Sequence, residues 1–356
     1  MLYGLGIDVS MNKIDACISK VTDKQSIKVV ATRTFSNTLE GYKKLVAWIK
    51  SKTKGEIIHQ IVLEPTGVYH ENLTYYLSDN NYNVCIIMAK QAKYYLMSLG
   101  NKSKTDKIDA KGLCQMACER KLKTWEAPGK EVRDLRAVCR LKDSLSKDKV
   151  VISNRLHAMQ NSYSPDRFAL KELKYHLSSI EKRLSRLNNE IEVRLSVESN
   201  FNNKVYKIAE SINGVGVQTV ASIASELLGF AFIYSQSQLT SYCGYDIKIS
   251  QSGQHAGKEK ISKQGNGRVR KALHFPALNV VRYEEDGKGV FNSLYSRIYL
   301  RTNIKMKGYV AVQRKLLMII YTLWKNDSEF DINYENTHPN SGKKISGIEE
   351  QEPSFS

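Results

Sequence analysis

The sequence contains no apolar run long enough to cross a membrane. Its most apolar late segment, residues 316–324, falls well short of the roughly 20 residues that a spanning helix needs. The chain also opens without the charged and then apolar stretch of a secretory leader. Both absences argue against an exported or membrane-inserted protein, and we expect no membrane partner.

Cysteine is sparse and follows no metal-binding pattern. Cys114 and Cys118 lie on one predicted helix face, but no second Cys or His pair completes a zinc site, and no Cys-x-x-Cys pair occurs. A Walker-type nucleotide motif is missing as well. We therefore predict reduced, mostly buried thiols at all six positions: Cys17, Cys85, Cys114, Cys118, Cys139 and Cys243.

Positive charge is in clear excess. The chain carries 54 Lys and Arg against 36 Asp and Glu, which gives a net charge of +18. A charge of this size favours a polyanionic partner, although a soluble protein can also be basic without one. The 20 tyrosines interleave with Lys and Arg, and aromatic rings can stack on unpaired bases. Nucleic acid is therefore the expected partner. Separately, a length of 356 residues is enough for two domains, each with its own core.

Four carboxylates in the first third of the chain indicate the chemistry. Asp8 ends the apolar run Gly-Leu-Gly-Ile, and Glu64 follows a second apolar run at residues 57–63. Asp106 and Asp109 are three residues apart, which places them on one face of a helix that Thr105 can cap. An acid at the end of a buried strand is costly unless it is paired or holds a metal. Two such acids with a helical pair can hold hard divalent cations for phosphoryl transfer. The alternative is that acids in a first helical turn only stabilise the helix.

Hydrophobic patterning predicts a mixed α/β sheet for the first part of the chain. Strands are expected at residues 3–9, 15–20, 27–35, 57–63 and 82–88, and helices at 39–50, 69–78 and 89–99. Residues 131–200 differ in pattern, because apolar residues recur there at steps of three and four. That seam predicts an antiparallel helical hairpin or an intermolecular coiled coil; packing against the rest of its own domain is the alternative. Its members are Leu170, Leu173, Leu177, Ile180, Leu184, Leu187, Ile191 and Leu195.

A second domain is expected from residue 205. Residues 211–221 predict two helices joined by a Gly-Val-Gly turn, which either presents N–H groups to a phosphate or is an ordinary tight turn. Residues 250–271 carry six basic residues against one acid, and predict a loop followed by a helix from about Arg268. Such a loop can wrap a phosphate backbone, although a solvated charge run is the alternative. Residues 326–356 are polar and predict a mobile tail.

These motifs together resemble the DEDD transposases of bacterial insertion sequences, the bridge-RNA-guided recombinases that are related to Piv-type DNA invertases. The resemblance covers about residues 3–325. It is carried by Gly-Ile-Asp-Val-Ser around Asp8, Leu-Glu-Pro-Thr-Gly-Val-Tyr around Glu64, and Asn-Lys-Ser-Lys-Thr-Asp-Lys-Ile-Asp-Ala around Asp106 and Asp109. In the second half it rests on Ile-Asn-Gly-Val-Gly, Cys-Gly-Tyr followed by Gln-Ser-Gly, and Ile-Ser-Lys-Gln-Gly-Asn.

The resemblance implies an α/β RNase H-like (RuvC-like) domain over residues 1–128 and a coiled-coil helical linker over 129–204. A mainly α-helical transposase domain over 205–325 and the tail at 326–356 would complete the chain. The resemblance also implies that Asp8, Glu64, Asp106 and Asp109 hold Mg²⁺ or Mn²⁺, and that Ser252 is a nucleophile that forms a phosphoserine link to DNA. The basic residues Lys258, Lys260, Lys263, Arg268 and Arg270 would hold backbone phosphates.

The implied partners are donor and target DNA, a guide RNA, and further copies of the chain in a dimer or tetramer, in which Ser252 would meet the first domain of another subunit. The implied location is the bacterial cytoplasm, at the nucleoid. Two features depart from the family pattern: residues 244–247 read Gly-Tyr-Asp-Ile where relatives often have Gly-Leu-Thr-Pro, and Ser250 is a second candidate nucleophile.

Two rival functions stay open at this point. The first is a RuvC-like metal-dependent nuclease or junction resolvase in which water attacks and Ser252 is structural. The second is a non-catalytic nucleic-acid-binding protein whose acids only cap helices or face solvent.

Overall fold

The computed structural model describes residues 2–22, 26–65, 67–100, 105–248, 251–252, 255–256, 260–285 and 288–331. The chain divides into two compact units, Met1–Ala127 and Pro128–Ser356. No helix of the described residues is both long and apolar enough to cross a membrane. The tail predicted from residue 326 lies outside the described residues from position 332 onward.

The first unit is built on a five-stranded mixed sheet. Strands β1 (Leu2–Val9), β2 (Lys13–Val21) and β3 (Ile27–Ser36) form an antiparallel meander. Strands β4 (Ile58–Leu63) and β5 (Val84–Ile86) follow in parallel with β1, which gives the order β3-β2-β1-β4-β5. The meander and the later strand–helix alternation therefore agree with the sequence prediction.

Helices cover both faces of this sheet. Helices α1 (Leu39–Thr53) and α2 (Glu71–Asp79) share a core with Leu5 and Ile7 of β1. Helices α3 (Ala89–Ser98) and α4 (Asp106–Glu119) share a second core with Val62 of β4. This mixed sheet, with helices on both sides, fits the RNase H-like fold that the resemblance implies.

Side-chain alternation along β1 decides what faces α4. Leu5 and Ile7 point to the α1 and α2 side, so Gly6 and Asp8 point to the α4 side. A Cβ at Gly6 would lie 2.1 Å from the backbone nitrogen of Cys114, and thus only glycine allows α4 to pack this closely on the strand. The close approach brings the beginning of α4 toward the end of β1.

The second unit is mainly helical. Two long helices, α5 (Lys130–Gln160) and α6 (Arg167–Ser196), pack against each other as a hairpin within one chain. Three members of the predicted seam, Ile180, Ile191 and Leu195, are buried, while its other five leucines are partly exposed. The hairpin agrees with one of the sequence alternatives, and a coiled-coil role for it stays a prediction.

The remaining helices of this unit share one large core. They are α7 (Asn200–Ser211), α8 (Val217–Glu226), α9 (Gln236–Cys243), α10 (Gly267–Ala272), α11 (His274–Tyr283), α12 (Val290–Thr302) and α13 (Lys305–Asn326), with a short 3-10 turn at Leu228–Phe230. Val312, Leu316 and Ile320 of α13 are fully buried in a single large core.

Four two-residue strands were not predicted. Strand β6 (Ile247–Lys248) pairs with β9 (Lys260–Ile261), and β7 (Gln251–Ser252) pairs with β8 (His255–Ala256), both antiparallel. Strands this short leave no readable alternation in a sequence, because only one or two side chains fall on each face. All six cysteines are free, and four of them are buried.

Candidate active site

Two of the predicted acids meet at one edge of the sheet. Asp8 is the penultimate residue of β1, and Glu64 directly follows β4. The parallel register aligns Ile7 with Leu63, so the next residue of each strand, Asp8 and Glu64, also stands side by side. Because carboxyl ends of neighbouring parallel strands share one sheet edge, strand pairing alone brings these two carboxylates together.

The helical pair reaches the same edge from α4. Thr105 caps this helix, since its Oγ1 accepts a hydrogen bond from the Ile108 N–H at 3.3 Å. Asp106 and Asp109 both lie in the first turn, as the sequence predicted. The contact of α4 with Gly6 carries this turn to the α4 side of the sheet, where Asp8 also points.

The four acids interact electrostatically. Burial raises the pKa of Asp8 from 3.8 to about 6, and the negative charges of Asp106, Asp109 and Glu64 raise it further. All four predicted carboxylates therefore lie close enough to interact electrostatically.

A fifth acid belongs to the cluster, and the sequence prediction missed it. Asp15 on β2 pairs with Asp8 across the strands and is 3% exposed. It accepts a hydrogen bond from the Thr34 hydroxyl at 2.5 Å, and its charge also raises the pKa of Asp8. The available signal was the Lys-Ile-Asp alternation of β2, which becomes informative only when the register with β1 is known.

Lys13 supplies positive charge at this edge. Its Nζ lies 2.6 Å from Asp106 Oδ2 and 3.3 Å from Asp15 Oδ2. Hydrogen bonding to Asp106 and then to Asp15 raises the pKa of Lys13. Lys13 therefore neutralises part of the acidic cluster and ties the first turn of α4 to β2.

The donor set suits a hard divalent cation. All four predicted ligands offer carboxylate oxygens, which are the ligands that Mg²⁺ and Mn²⁺ prefer. Burial raises the pKa of Asp8 most, and the neighbouring acids raise it further; a bound cation would offset the negative charge of these acids. Within the part of the chain that the structure describes, however, no three His, Cys, Asp or Glu side chains stand close enough to coordinate one ion. The chemistry of these residues nevertheless fits a hard divalent metal ion.

The second predicted region lies in the other unit. Ser252 is in β7, where its backbone pairs with that of His255. The side chain of Ser252 and the whole of Ser250 and Lys258 lie outside the described part of the structure. Lys260 is exposed in β9, and Lys263 is exposed with a φ of 53°.

Two of the predicted phosphate-binding cations are engaged within the protein. Arg270 donates hydrogen bonds to the carbonyl oxygens of Cys243 (2.7 Å) and Lys263 (3.2 Å), so it supports the backbone beneath the basic segment. Arg268 lies 3.9 Å from Asp143 of α5, and Lys271 also pairs with Asp143. Sequence reasoning could not separate these internal cations from solvent-facing ones.

Glu226 is a buried charge that the sequence analysis overlooked. Arg140 of α5 binds both of its oxygens at 2.8 Å, and Asn266 donates to Oε1 at 2.8 Å. Burial raises the pKa of Glu226, but the hydrogen bonds from Arg140 and Asn266 outweigh burial and leave it lowered. Asn266 also caps α10 by accepting from the Arg268 N–H at 3.0 Å. The network fixes the end of the basic segment to α5 and α8.

The Gly-Val-Gly turn has a structural reason in the fold. Gly214 has a φ of +93°, and a Cβ there would lie 2.9 Å from the Tyr283 ring and 3.1 Å from the Asn279 backbone. Glycine is therefore required for packing against α11. This packing supports the tight-turn alternative for the motif.

The chain is similar to known proteins over most of its length. The pilin gene-inverting proteins of Moraxella bovis and Moraxella lacunata are each 25% identical to this chain over 333 residues, which is 92% of this chain and 97% of each relative. Two solved structures also align: T. thermophilus RuvC in complex with Holliday junction substrate, at 10% identity, and a Thermus thermophilus RuvC structure, at 12%. Each alignment covers 32% of this chain and 90% of the RuvC chain with a TM-score of 0.25, which is too low to carry weight.

Family models match both units. The IS110 DEDD model, described as "Transposase", matches residues 5–165, which contain all four clustered acids. A second model, "Transposase IS116/IS110/IS902 family", matches residues 206–291. Because these two matches are consecutive and together span more than half of the sequence, the chain belongs to the IS116/IS110/IS902 family of transposases.

Proposed function

We propose that this transposase cuts and rejoins DNA by using the carboxylates of the first unit and Ser252 of the second. The observation that carries the proposal is the meeting of acids at one sheet edge, where the strand register sets Asp8 beside Glu64 and opposite Asp15. Membership of a transposase family and the net charge of +18 support a DNA substrate. The pilin gene-inverting relatives, whose name describes inversion of a gene, support recombination rather than simple cleavage.

Asp8, Glu64, Asp106 and Asp109 would hold Mg²⁺ or Mn²⁺. A divalent cation supplies Lewis-acid chemistry at a phosphate oxygen. The chain contributes the orientation of the carboxylates: the register of β1 with β4 sets Asp8 beside Glu64, and the close contact at Gly6 positions the first turn of α4. Lys13 balances the charge of Asp106.

Ser252 would attack the scissile phosphorus. Its Oγ forms a new P–O bond, the bond from phosphorus to the 3′ oxygen breaks, and the hydroxyl proton of Ser252 ends on that oxygen as a free 3′-OH. Attack of a 3′-OH from another strand reverses the step and releases the serine. Because each phosphodiester is exchanged for a phosphoserine ester of similar energy, the reaction needs no ATP.

The choice of target is proposed to come from a guide RNA that pairs with donor and target DNA. The protein would then read mainly the shape and charge of the nucleic acids, as in other RNA-guided systems. The proposal includes an oligomer, in which acids of one subunit would serve Ser252 of another.

The decisive experiment combines purified full-length protein, RNA from the flank of its element, a DNA junction substrate and Mg²⁺. Products are run on a denaturing gel with and without protease treatment. We expect a slow, protease-sensitive DNA adduct that is absent from Ser252→Ala and from Asp8→Ala. Exposed Asp79→Asn is the matched acidic control and should form the adduct normally.

Three other results would change the proposal. An adduct that persists in Ser252→Ala but is lost in Ser250→Ala would move the nucleophile to Ser250. Free nicked DNA without an adduct, still made by Ser252→Ala, would establish the water-using nuclease. DNA binding without cleavage, with and without Mg²⁺, would leave a non-catalytic binding protein.

A further inference from the structure

The last two helices contain an acid-free and strongly basic stretch. Between residues 290 and 324 there is no Asp or Glu, although the whole chain has 36. The same stretch carries six Lys and Arg. Four of these are gathered where α12 ends and α13 begins, and they are Arg297, Arg301, Lys305 and Lys307. We refer to these four residues, together with Leu300, Ile304 and Met306, as the α12–α13 tip.

The four cations of the tip are exposed, and none has an ion pair or side-chain hydrogen bond among the described residues. Other cations of this unit form ion pairs within it. Lys204 and Lys207 pair with Asp327, and Lys271 pairs with Asp143. The charge of the tip therefore does not stabilise the unit through ion pairs and is available to a partner.

The tip also violates the usual electrostatic preference of a helix. Acids are favoured in a first turn, yet Lys305 and Lys307 occupy the first turn of α13, and no side chain caps its N-terminus. Both lysines are slightly unfavourable for α13 on its own. Residues that are unfavourable for their own helix are expected mainly where a function requires them. An anion bound at this helix start would offset the unfavourable interaction of the two lysines with the helix dipole.

Aromatic packing holds the tip in one shape. Tyr295 and Tyr299 stack with ring centroids 5.9 Å apart and planes within 11° of parallel, and Tyr309 of α13 lies 4.6 Å from Tyr295. A Cβ at Gly308 would lie 2.6 Å from the Tyr295 ring, so glycine allows the two helices to approach. Asn303 turns the chain with a φ of 52°. The cations are thus carried on a preorganised hairpin, which lowers the entropic cost of binding.

Apolar side chains lie among the cations. Leu300 is 82% exposed, Met306 50% and Ile304 47%. Duplex DNA offers both kinds of surface, because phosphates line the grooves and the sugars and base edges within them accept apolar side chains. A second copy of the tip fits poorly, since a symmetric contact would bring eight unpaired cations together.

We propose that the α12–α13 tip is a contact surface for duplex DNA, in which Arg297, Arg301, Lys305 and Lys307 bind backbone phosphates and Leu300 leans against a groove. The proposal rests on this protein acting on DNA, but it requires neither the carboxylate cluster nor Ser252. The tip lies outside the basic segment of residues 250–271, so it adds a second anchor to the one that the sequence suggests.

The test is DNA binding by the full-length protein in EDTA, where no cleavage occurs. Fluorescence anisotropy with a labelled duplex is measured from about 50 to 300 mM salt, the range in which loss of phosphate contacts changes affinity strongly. In the variant R297Q/R301Q/K305Q/K307Q we expect weaker binding and a salt slope reduced by about 3 to 4, close to one per lost phosphate contact. The matched control K43Q/K50Q/K52Q/K54Q removes the same charge from exposed positions of the first unit, and its slope should change by less than about 1.

The variant R297K/R301K keeps the charge of the tip and should therefore keep the wild-type salt slope. Thermal unfolding of every variant tests whether a loss of binding comes from a loss of the fold. Equal losses in the two glutamine variants would overturn the proposal, because bulk charge alone would then explain binding. The proposal would also be overturned if R297Q/R301Q/K305Q/K307Q bound DNA like the wild type but lost binding to anionic vesicles. The same holds if this variant bound DNA normally but lost self-association in sedimentation velocity. This binding assay detects no adduct, whereas the gel assay of the catalytic proposal detects only the adduct, so failure of either proposal would be seen separately.

Discussion

Replacing Asp8 by Asn should stabilise the metal-free protein at neutral pH. Asp8 has an ordinary pKa of 3.8 and a pKa of about 6 in the fold, so the folded state binds the Asp8 proton more tightly than the unfolded state does. The ionised carboxylate therefore costs stability. The two pKa values correspond to about 3 kcal/mol. Since Asp8 is only partly buried, solvent screening reduces the expected gain to about 1–2 kcal/mol.

The sign of the effect defines its pH window. Below about pH 3.8 Asp8 is protonated in both states, and the proton contributes its full stabilisation of the fold. As the pH rises through 6 this stabilisation is lost, and above 6 the ionised group carries the whole penalty. Asparagine never ionises. The advantage of Asp8→Asn over the wild type should therefore grow from about pH 4 to pH 7 and then level off.

Urea unfolding in EDTA at several pH values measures this difference directly. Asp79→Asn is the matched control, because Asp79 is exposed at the end of α2 and its loss should change stability by less than about 0.5 kcal/mol at every pH. An Asp8→Asn variant that is no more stable than the wild type at pH 7.5 would refute the reasoning. An advantage that does not vary with pH would refute it equally, since burial of a charge could not then be the cause.

Three further changes probe other parts of the structure. Lys13→Met removes the cation nearest Asp106, and we expect a severalfold tighter Mn²⁺ dissociation constant by calorimetry, because the metal no longer competes with an ammonium group. Glu226→Gln leaves the guanidinium of Arg140 without its buried partner, and we expect a loss of about 3–5 kcal/mol in unfolding free energy. Gly6→Ala forces a methyl group against the backbone of α4, and we expect a loss of about 3 kcal/mol or more in urea unfolding.

Each of these three variants has a control or a result that would contradict the expectation. Lys43→Met removes an exposed lysine of α1 and should leave Mn²⁺ affinity unchanged; equal tightening in both variants would mean that only net charge matters. A Glu226→Gln protein as stable as the wild type would show that the buried pair is not needed for folding. Gly216→Ala has open space around the new methyl group and should cost about 1 kcal/mol at most, so a similar loss at Gly6 would contradict the packing argument.

Much of the first unit could be predicted because local patterns determine it. A continuous apolar run ending in an acid predicts a buried strand with a carboxylate at its end, and both Asp8 and Glu64 lie at such positions. A cap followed by two acids three apart predicts the first turn of a helix, and Thr105 does cap α4. These signals depend on neighbours in sequence, so no knowledge of the partner strands was needed.

Residues whose role depends on a distant partner escaped prediction. Asp15 looks like any polar residue of a strand until β2 is paired with β1, and Glu226 looks like a solvent-facing acid until Arg140 arrives from another helix. In the basic segment, Arg270 donates to carbonyl oxygens of its own unit, and its role in phosphate binding stays a prediction. Composition counts charges, but only packing decides which of them face solvent.

The sequence by itself determined the long helices and strands, the acids at their ends and the excess of positive charge. Spacing along the chain is enough for these, since alternation and capping act over a few residues. The tertiary structure alone decided that five acids act on one another, that Lys13 offsets them and that the cations of the α12–α13 tip stay unpaired among the described residues. Coulomb energies and pKa values depend on distances through space, and strand register and helix packing set those distances.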